Sequence, residues 1–100
     1  MIEATASRAE SGYCLEVIGH AEYARENDIV CAGVSALVEA LAAYLEEFDD
    51  GGAEVDLADG YASITLPAPN AAFDMVICGL CAIADQYPGY VNMRNTYTSI

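Results

Sequence analysis

The hydrophobic period of this chain switches from two to about 3.6 residues and back, twice over, and that alternation decides what it can fold into. Ile2, Ala4 and Ala6 alternate with Glu3, Thr5 and Ser7, the pattern of a half-buried strand over Ile2–Arg8. Glu10-Ser11-Gly12 turns the chain, and Tyr13–Ile18 follows as a strand rich in β-formers, closed by Gly19. A turn this short predicts antiparallel pairing. From an N-cap at Asp28 to about Phe48, Val30, Val34, Leu37, Leu41, Tyr44 and Leu45 recur at helical spacing and form one wide apolar stripe. Asp49-Asp50-Gly51-Gly52 ends that helix, with glycine expected as the C-cap, although the two acids oppose the helix dipole.

The second cycle repeats the first. Ala53–Leu57 and Tyr61–Leu66 alternate as strands, and Ala58-Asp59-Gly60 between them carries the Asp-Gly hairpin signal. Pro67-Ala68-Pro69 stops the strand, and Asn70 caps a helix with Phe73, Val76, Ile77, Leu80, Ile83, Ala84 and Tyr87 on its apolar side. Pro88-Gly89 breaks it, and Tyr90–Tyr97 reads as a final strand. The order ββαββαβ predicts an α+β fold over residues 1–100, one domain with two helices packed on a mostly antiparallel sheet.

Charge narrows the function. Sixteen acids against three bases give a formal charge of −13. Nucleic-acid binding through phosphate neutralisation needs clustered Lys and Arg, so no direct nucleic-acid partner is expected. A basic protein suits the surface better than an anionic metabolite. No run of about eighteen apolar residues is present, so no transmembrane span and no membrane partner are implied. The first residues, Met1-Ile2-Glu3-Ala4-Thr5, lack a basic-then-apolar leader. A cytoplasmic location is expected, in which Cys14, Cys31, Cys78 and Cys81 stay reduced.

Cys78-Gly79-Leu80-Cys81 has C-x-x-C spacing, which invites a redox or zinc reading. It falls in mid-helix, whereas redox motifs of this kind sit at helix starts, and no further ligands stand at metal spacing. The pair is read as two small core residues, and neither a metal nor a cofactor is implied.

The stretch from Gly19 to Leu37 is different. It holds His20, the only histidine of the chain. A polar segment then leads to Asp28, which places Cys31 at the third position of the helix, where the dipole favours an anion. A Cys–His pair supports nucleophilic catalysis: the imidazole takes the thiol proton and returns it to the leaving amine. First-turn amides of the same helix are candidates for holding the oxyanion. Ser35 stands one turn beyond Cys31 on the same face, positioned for a substrate or for a bond to its own helix. Asp28 could orient His20, but capping already occupies its carboxylate. A Ser-His-Asp site fails because Ser35 lies inside a helix.

Gly19-His20-Ala21, then Asp28-Ile29-Val30-Cys31-Ala32 and Val34-Ser35-Ala36-Leu37, resemble the signature of the ribosomal-processing cysteine protease family, Prp. The resemblance implies small cytoplasmic homodimers that remove a short N-terminal extension from large-subunit ribosomal protein twenty-seven during ribosome assembly. It implies His20 as general base and Cys31 as nucleophile, with Gly19, Asp28, Ala32 and Ser35 on supporting motif positions. Family members often carry glycine where this chain has Glu22, and their loop before the cysteine is slightly longer. Two other classes stand beside this reading: a non-catalytic, acidic ribosome-associated binding module in which Cys31 is inert, and a thiol-redox protein using Cys78 and Cys81.

Overall fold

The computed structural model describes residues 1–10 and 12–97, so the turn residue Ser11 lies outside the described residues. The elements follow the expected order: β1 (Ile2–Ala9), β2 (Gly12–Ile18), α1 (Ile29–Phe48), β3 (Glu54–Ala58), β4 (Tyr61–Leu66), α2 (Ala71–Gln86) and β5 (Val91–Asn95). They form an α+β fold with one five-stranded mixed sheet, ordered β3-β4-β2-β1-β5. β1 pairs antiparallel with β2, β2 with β4 and β4 with β3, while β5 joins β1 in parallel. Each helix therefore crosses between strands that run the same way, α1 from β2 to β3 and α2 from β4 to β5.

Register sends one side chain of every two to a common face. Ala4 pairs with Val17, Ala6 with Leu15, Leu15 with Ile64 and Val17 with Ala62, and all are buried. The helices supply Val30, Val34, Val38, Leu41 and Leu45 from α1, and Phe73, Val76, Ile77 and Leu80 from α2. The helix-side edge of the stripe shifts relative to expectation. Val38 is buried, Leu37 is only half-buried and Tyr44 is exposed, because the sheet and α2 together cover the side of α1 around Val34, Val38, Leu41 and Leu45. By length and composition α1 is apolar enough to cross a bilayer, yet this buried row is what the domain core is made of.

Small residues let the helices meet closely. A Cβ added at Gly33 of α1 would lie 3.6 Å from Cδ1 of Ile83, and one at Gly79 of α2 would press within 2.9 Å of Leu37. Cys78, expected in the core, is exposed, and Cys81 is half-buried. The glycine between them takes the contact with α1 that a core cysteine would have made.

The C-terminal end of α1 differs from the glycine cap expected. Asp49 is the C-cap in an extended conformation, and its amide closes the last turn on the Leu45 carbonyl at 3.0 Å. Its carboxylate then accepts the amides of Gly51 (3.0 Å) and Ala53 (2.8 Å). The acid that works against the dipole is thus used to shape the turn into β3, where Gly51 has φ +99°.

At the other end of α1, Asp28 caps with both oxygens. Oδ1 accepts the amides of Val30 and Cys31, each at 3.0 Å, and Oδ2 accepts those of Tyr23 (2.9 Å) and Ala24 (3.2 Å). These bonds, that from Cys31 foremost and against a smaller opposing effect of desolvation, hold the Asp28 carboxyl below its ordinary 3.8.

Phe73 is fully buried and meets Tyr97 edge to face, with ring centroids 5.3 Å apart. Phe73→Ala should cost about 3–5 kcal/mol of stability by urea unfolding. The low carboxyl of Asp28 contributes stability above its ordinary value, and this is lost as pH falls through the depressed one. Amide proton resonances of Tyr23 and Cys31 should therefore move together in one acid titration with a midpoint below 3.8; independent midpoints would mean that one carboxylate does not hold both.

Candidate active site

β2 ends beside the β3–β4 hairpin because Ile18 pairs with Tyr61. The Gly19 amide extends that ladder by donating to the Gly60 carbonyl at 2.8 Å. Gly19 has φ +100°, and a Cβ there would come within 2.5 Å of the Met1 carbonyl oxygen, so only glycine passes between β1 and the hairpin. The next residue, His20, is delivered to the rim of a cleft of about 270 Å³.

The cleft is lined by His20 and Gly19 from the end of β2, by Cys31 and Ser35 from α1, and by Asp59 and Gly60 from the hairpin. Cys31 is half-buried, packed against the core on one side and lining the cleft on the other. Ser35 is exposed one turn further along the same face. Of the six site residues read from the sequence, four therefore share this cleft: Gly19, His20, Cys31 and Ser35. Asp28 and Ala32 do not line it. Asp28 is occupied as the helix cap and contributes no bond to His20, while Ala32 is exposed and its amide donates to the Asp28 carbonyl at 2.9 Å.

One chemical expectation is corrected here. The amides of Val30, Cys31 and Ala32 already have partners on Asp28. They are not free to hold an oxyanion, because a capping carboxylate and a tetrahedral intermediate compete for the same donors.

The hairpin is the part of the site that sequence reasoning missed. Its Asp-Gly pair signals a turn, which it is, with Gly60 at φ +68°. What the local signal does not carry is the register that brings the turn to His20. His20 Nε2 stands 4.0 Å from Asp59 Oδ2, beyond hydrogen-bond length, with the imidazole 53% and the carboxylate 99% exposed. Such a pair is well solvated and energetically weak. Gly60 matters more sterically: a Cβ on it would lie 2.9 Å from His20 Nε2. The imidazole rests against bare backbone.

The loop between His20 and Cys31 is tied at several points. Ala21 is buried, and the amides of Tyr23 and Ala24 are held by Asp28. The Tyr23 ring packs edge to face on Tyr87 and Tyr90, at centroid distances of 5.5 and 5.1 Å. Glu22 and Asn27 adopt φ +58° and +52°. Glu22 thus keeps the left-handed backbone that a glycine takes without steric cost.

The C-x-x-C pair lies away from this cleft, within α2. Burial pushes the Cys81 thiol up, and Cys78 and Asp85 push the same way. A redox pair needs the opposite shift.

The family model described as cysteine protease Prp matches residues 1–92. No curated protein matches the chain. Among solved structures, the essential ribosomal processing protease Prp from S. aureus, with a covalently linked product peptide, superposes with a TM-score of 0.80 at 20% identity, covering 96% of this chain and 100% of that one. The same protease with a substrate peptide gives 0.75 at 16% identity, with 96% and 100% covered. SMU.848 from Streptococcus mutans gives 0.73 at 30% identity, with 95% and 93% covered. With nearly its whole length matched by that family model, the chain belongs to the cysteine protease Prp family.

Proposed function

We propose that this cysteine protease removes the short N-terminal extension of large-subunit ribosomal protein twenty-seven, with Cys31 as nucleophile and His20 as general base. The observation that carries the reading is the shared cleft, lined both by a half-buried cysteine at a helix start and by the only imidazole of the chain. In the first step His20 takes the thiol proton and Cys31 Sγ attacks the scissile carbonyl. The tetrahedral intermediate collapses as His20 gives that proton to the leaving amine, which departs as the new N-terminus of the ribosomal protein. Water, deprotonated by His20, then cleaves the thioester and frees the extension.

Substrate choice rests on the resemblance and on charge. The S. aureus protease described above is a ribosomal processing enzyme that has been solved with peptides, and a ribosomal protein is basic where this chain is strongly acidic. A cytoplasmic homodimer belongs to the same reading. Ile29, Phe48 and Met75 are exposed at 58%, 70% and 64%, apolar surface that a second subunit could cover.

Incubation with the extended ribosomal protein, followed by mass spectrometry, tests the assignment. Wild type should release the extension and Cys31→Ala should release none, while His20→Ala should lower the rate by about 10²–10⁴-fold. Equal cleavage by Cys31→Ala would remove Cys31 from the chemistry. Iodoacetamide near neutral pH should label Cys31 ahead of Cys14, Cys78 and Cys81; uniform labelling would point to an inert binding module.

The seat of His20 gives a second prediction. Gly60→Ala and Gly51→Ala both place a side chain at positive φ, but only at Gly60 does the new Cβ meet the imidazole, since nothing lies within 4 Å of it at Gly51. Both should lower the melting temperature, and only Gly60→Ala should reduce kcat, by about tenfold or more. Equal kcat losses in the two would trace the effect to stability alone.

A further inference from the structure

The sheet is wider than the helix layer above it. In the β3–β4 ladder Val55 pairs with Ile64 and Leu57 with Ala62, so all four point to the helix side. Ile64 and Ala62 are buried, whereas Val55 and Leu57 stay 41% and 46% exposed. Among the described residues the inner face of this edge strand is only partly covered, and between it and α1 lies a second cleft of about 680 Å³. Glu39 and Leu57 line both clefts, so the groove is continuous with the one that holds His20 and Cys31.

The flank of α1 that borders this groove carries Cys31, Ser35, Glu39, Ala42 and Glu46 at helical spacing. The floor is apolar and the wall is acidic. Asp49 also borders the groove, but its carboxylate is taken by the Gly51 and Ala53 amides. Glu39 and Glu46 have no ion-pair partner among the described residues.

We infer that this groove binds the substrate polypeptide on one side of the scissile bond as an extended segment, with Glu39 and Glu46 selecting Lys or Arg at defined distances from it. The inference rests on the protease reading above and adds the specificity to it. At about 1.5 Å per helical residue, Glu39 lies about 12 Å and Glu46 about 22 Å along α1 from Cys31. An extended chain advances about 3.3 Å per residue, so the preferred cations fall about four and about seven residues from the bond that is cut. A second copy of this chain is a poor occupant. It would bring its own −13 charge against Glu39 and Glu46, which border the groove.

The test uses a peptide spanning the extension and the segment after it, with residues four and seven from the scissile bond set to Lys, Gln or Glu, first on one side and then on the other. For one side, wild type should cut the Lys peptide about five- to tenfold faster in kcat/KM than the Gln peptide at low ionic strength, and the Glu peptide more slowly still. The preference should shrink in salt. In Glu39→Gln/Glu46→Gln the Lys:Gln ratio should fall close to one. It should persist in Glu10→Gln/Asp85→Asn, which removes the same charge from residues that line neither cleft.

Binding of the same peptides to Cys31→Ala, read by fluorescence anisotropy, should show the same order without any chemistry. Cleavage with no Lys preference on either side overturns the groove assignment and leaves the protease standing. Glu39-dependent binding of the Lys peptide without cleavage by wild type keeps the groove and removes the catalytic reading. A ratio that falls equally in the distal pair, or a change in molecular mass in place of a change in ratio, shows general charge or a subunit contact at this face and overturns the proposal.

Discussion

One carboxylate fixes the geometry on which the site depends. Asp28 accepts four amides, two from the loop before it and two from the first turn of α1. A single side chain thereby sets where the helix begins, how the preceding loop folds back, and at which depth Cys31 enters the cleft. The loop residues Glu22 and Asn27 accept left-handed backbone to make this possible. That conformation costs non-glycine residues free energy, which is tolerable where surrounding bonds over-determine it. The same bonds bear on chemistry. An N-terminal turn whose Val30, Cys31 and Ala32 amides are all satisfied by Asp28 is a good anchor for a thiol and a poor oxyanion hole, so this conformation favours positioning over transition-state stabilisation.

The remainder of the site depends on register rather than on local bonds. His20 and the Asp59-Gly60 turn are forty residues apart in the chain, and they meet because β4 inserts between β2 and β3. A shift of that ladder by one residue would turn Ala62 and Ile64 out of the core, so the hydrophobic pattern of β4 indirectly fixes what stands next to the imidazole. The absence of a side chain at Gly60 then has two causes at once. The turn needs positive φ there, and the imidazole occupies the space a Cβ would fill.

Much of this was legible in the sequence. The two cycles of alternating and helical period gave all seven elements, with β4 placed to the residue and both N-caps, Asp28 and Asn70, correctly identified. Those features are local, and local propensity carries them. The failures are tertiary. Leu37 and Val38 differ by one helical step, and which of them is buried depends on how α2 lies across α1, something no period reveals. Cys78 is small and apolar but falls outside the stripe of Phe73, Val76, Ile77 and Leu80, so it is exposed, and Gly79 makes the helix contact. Asp49 opposes the dipole and is understood only once its bonds to Gly51 and Ala53 are seen. In the site, the His20 and Cys31 motif stood out through composition and a helix start. Asp59 and Gly60 could not, since a hairpin turn looks the same in sequence whatever it abuts.

The charge of the chain and the exposed edge strand have a common logic. β3 presents unpaired backbone along one edge and apolar Val55 and Leu57 on one face, the combination most prone to edge-to-edge association. Glu54 and Asp56 alternate with them, and both are exposed. Two such edges brought together would oppose like charges at short range, which blocks self-pairing without covering the strand. A cationic polypeptide meets no such barrier. Glu54 and Asp56 thus guard one face of this edge against other copies, while the groove on its other face is bordered by Glu39 and Glu46, so acids on both sides of the strand suit a basic chain better than a second acidic one.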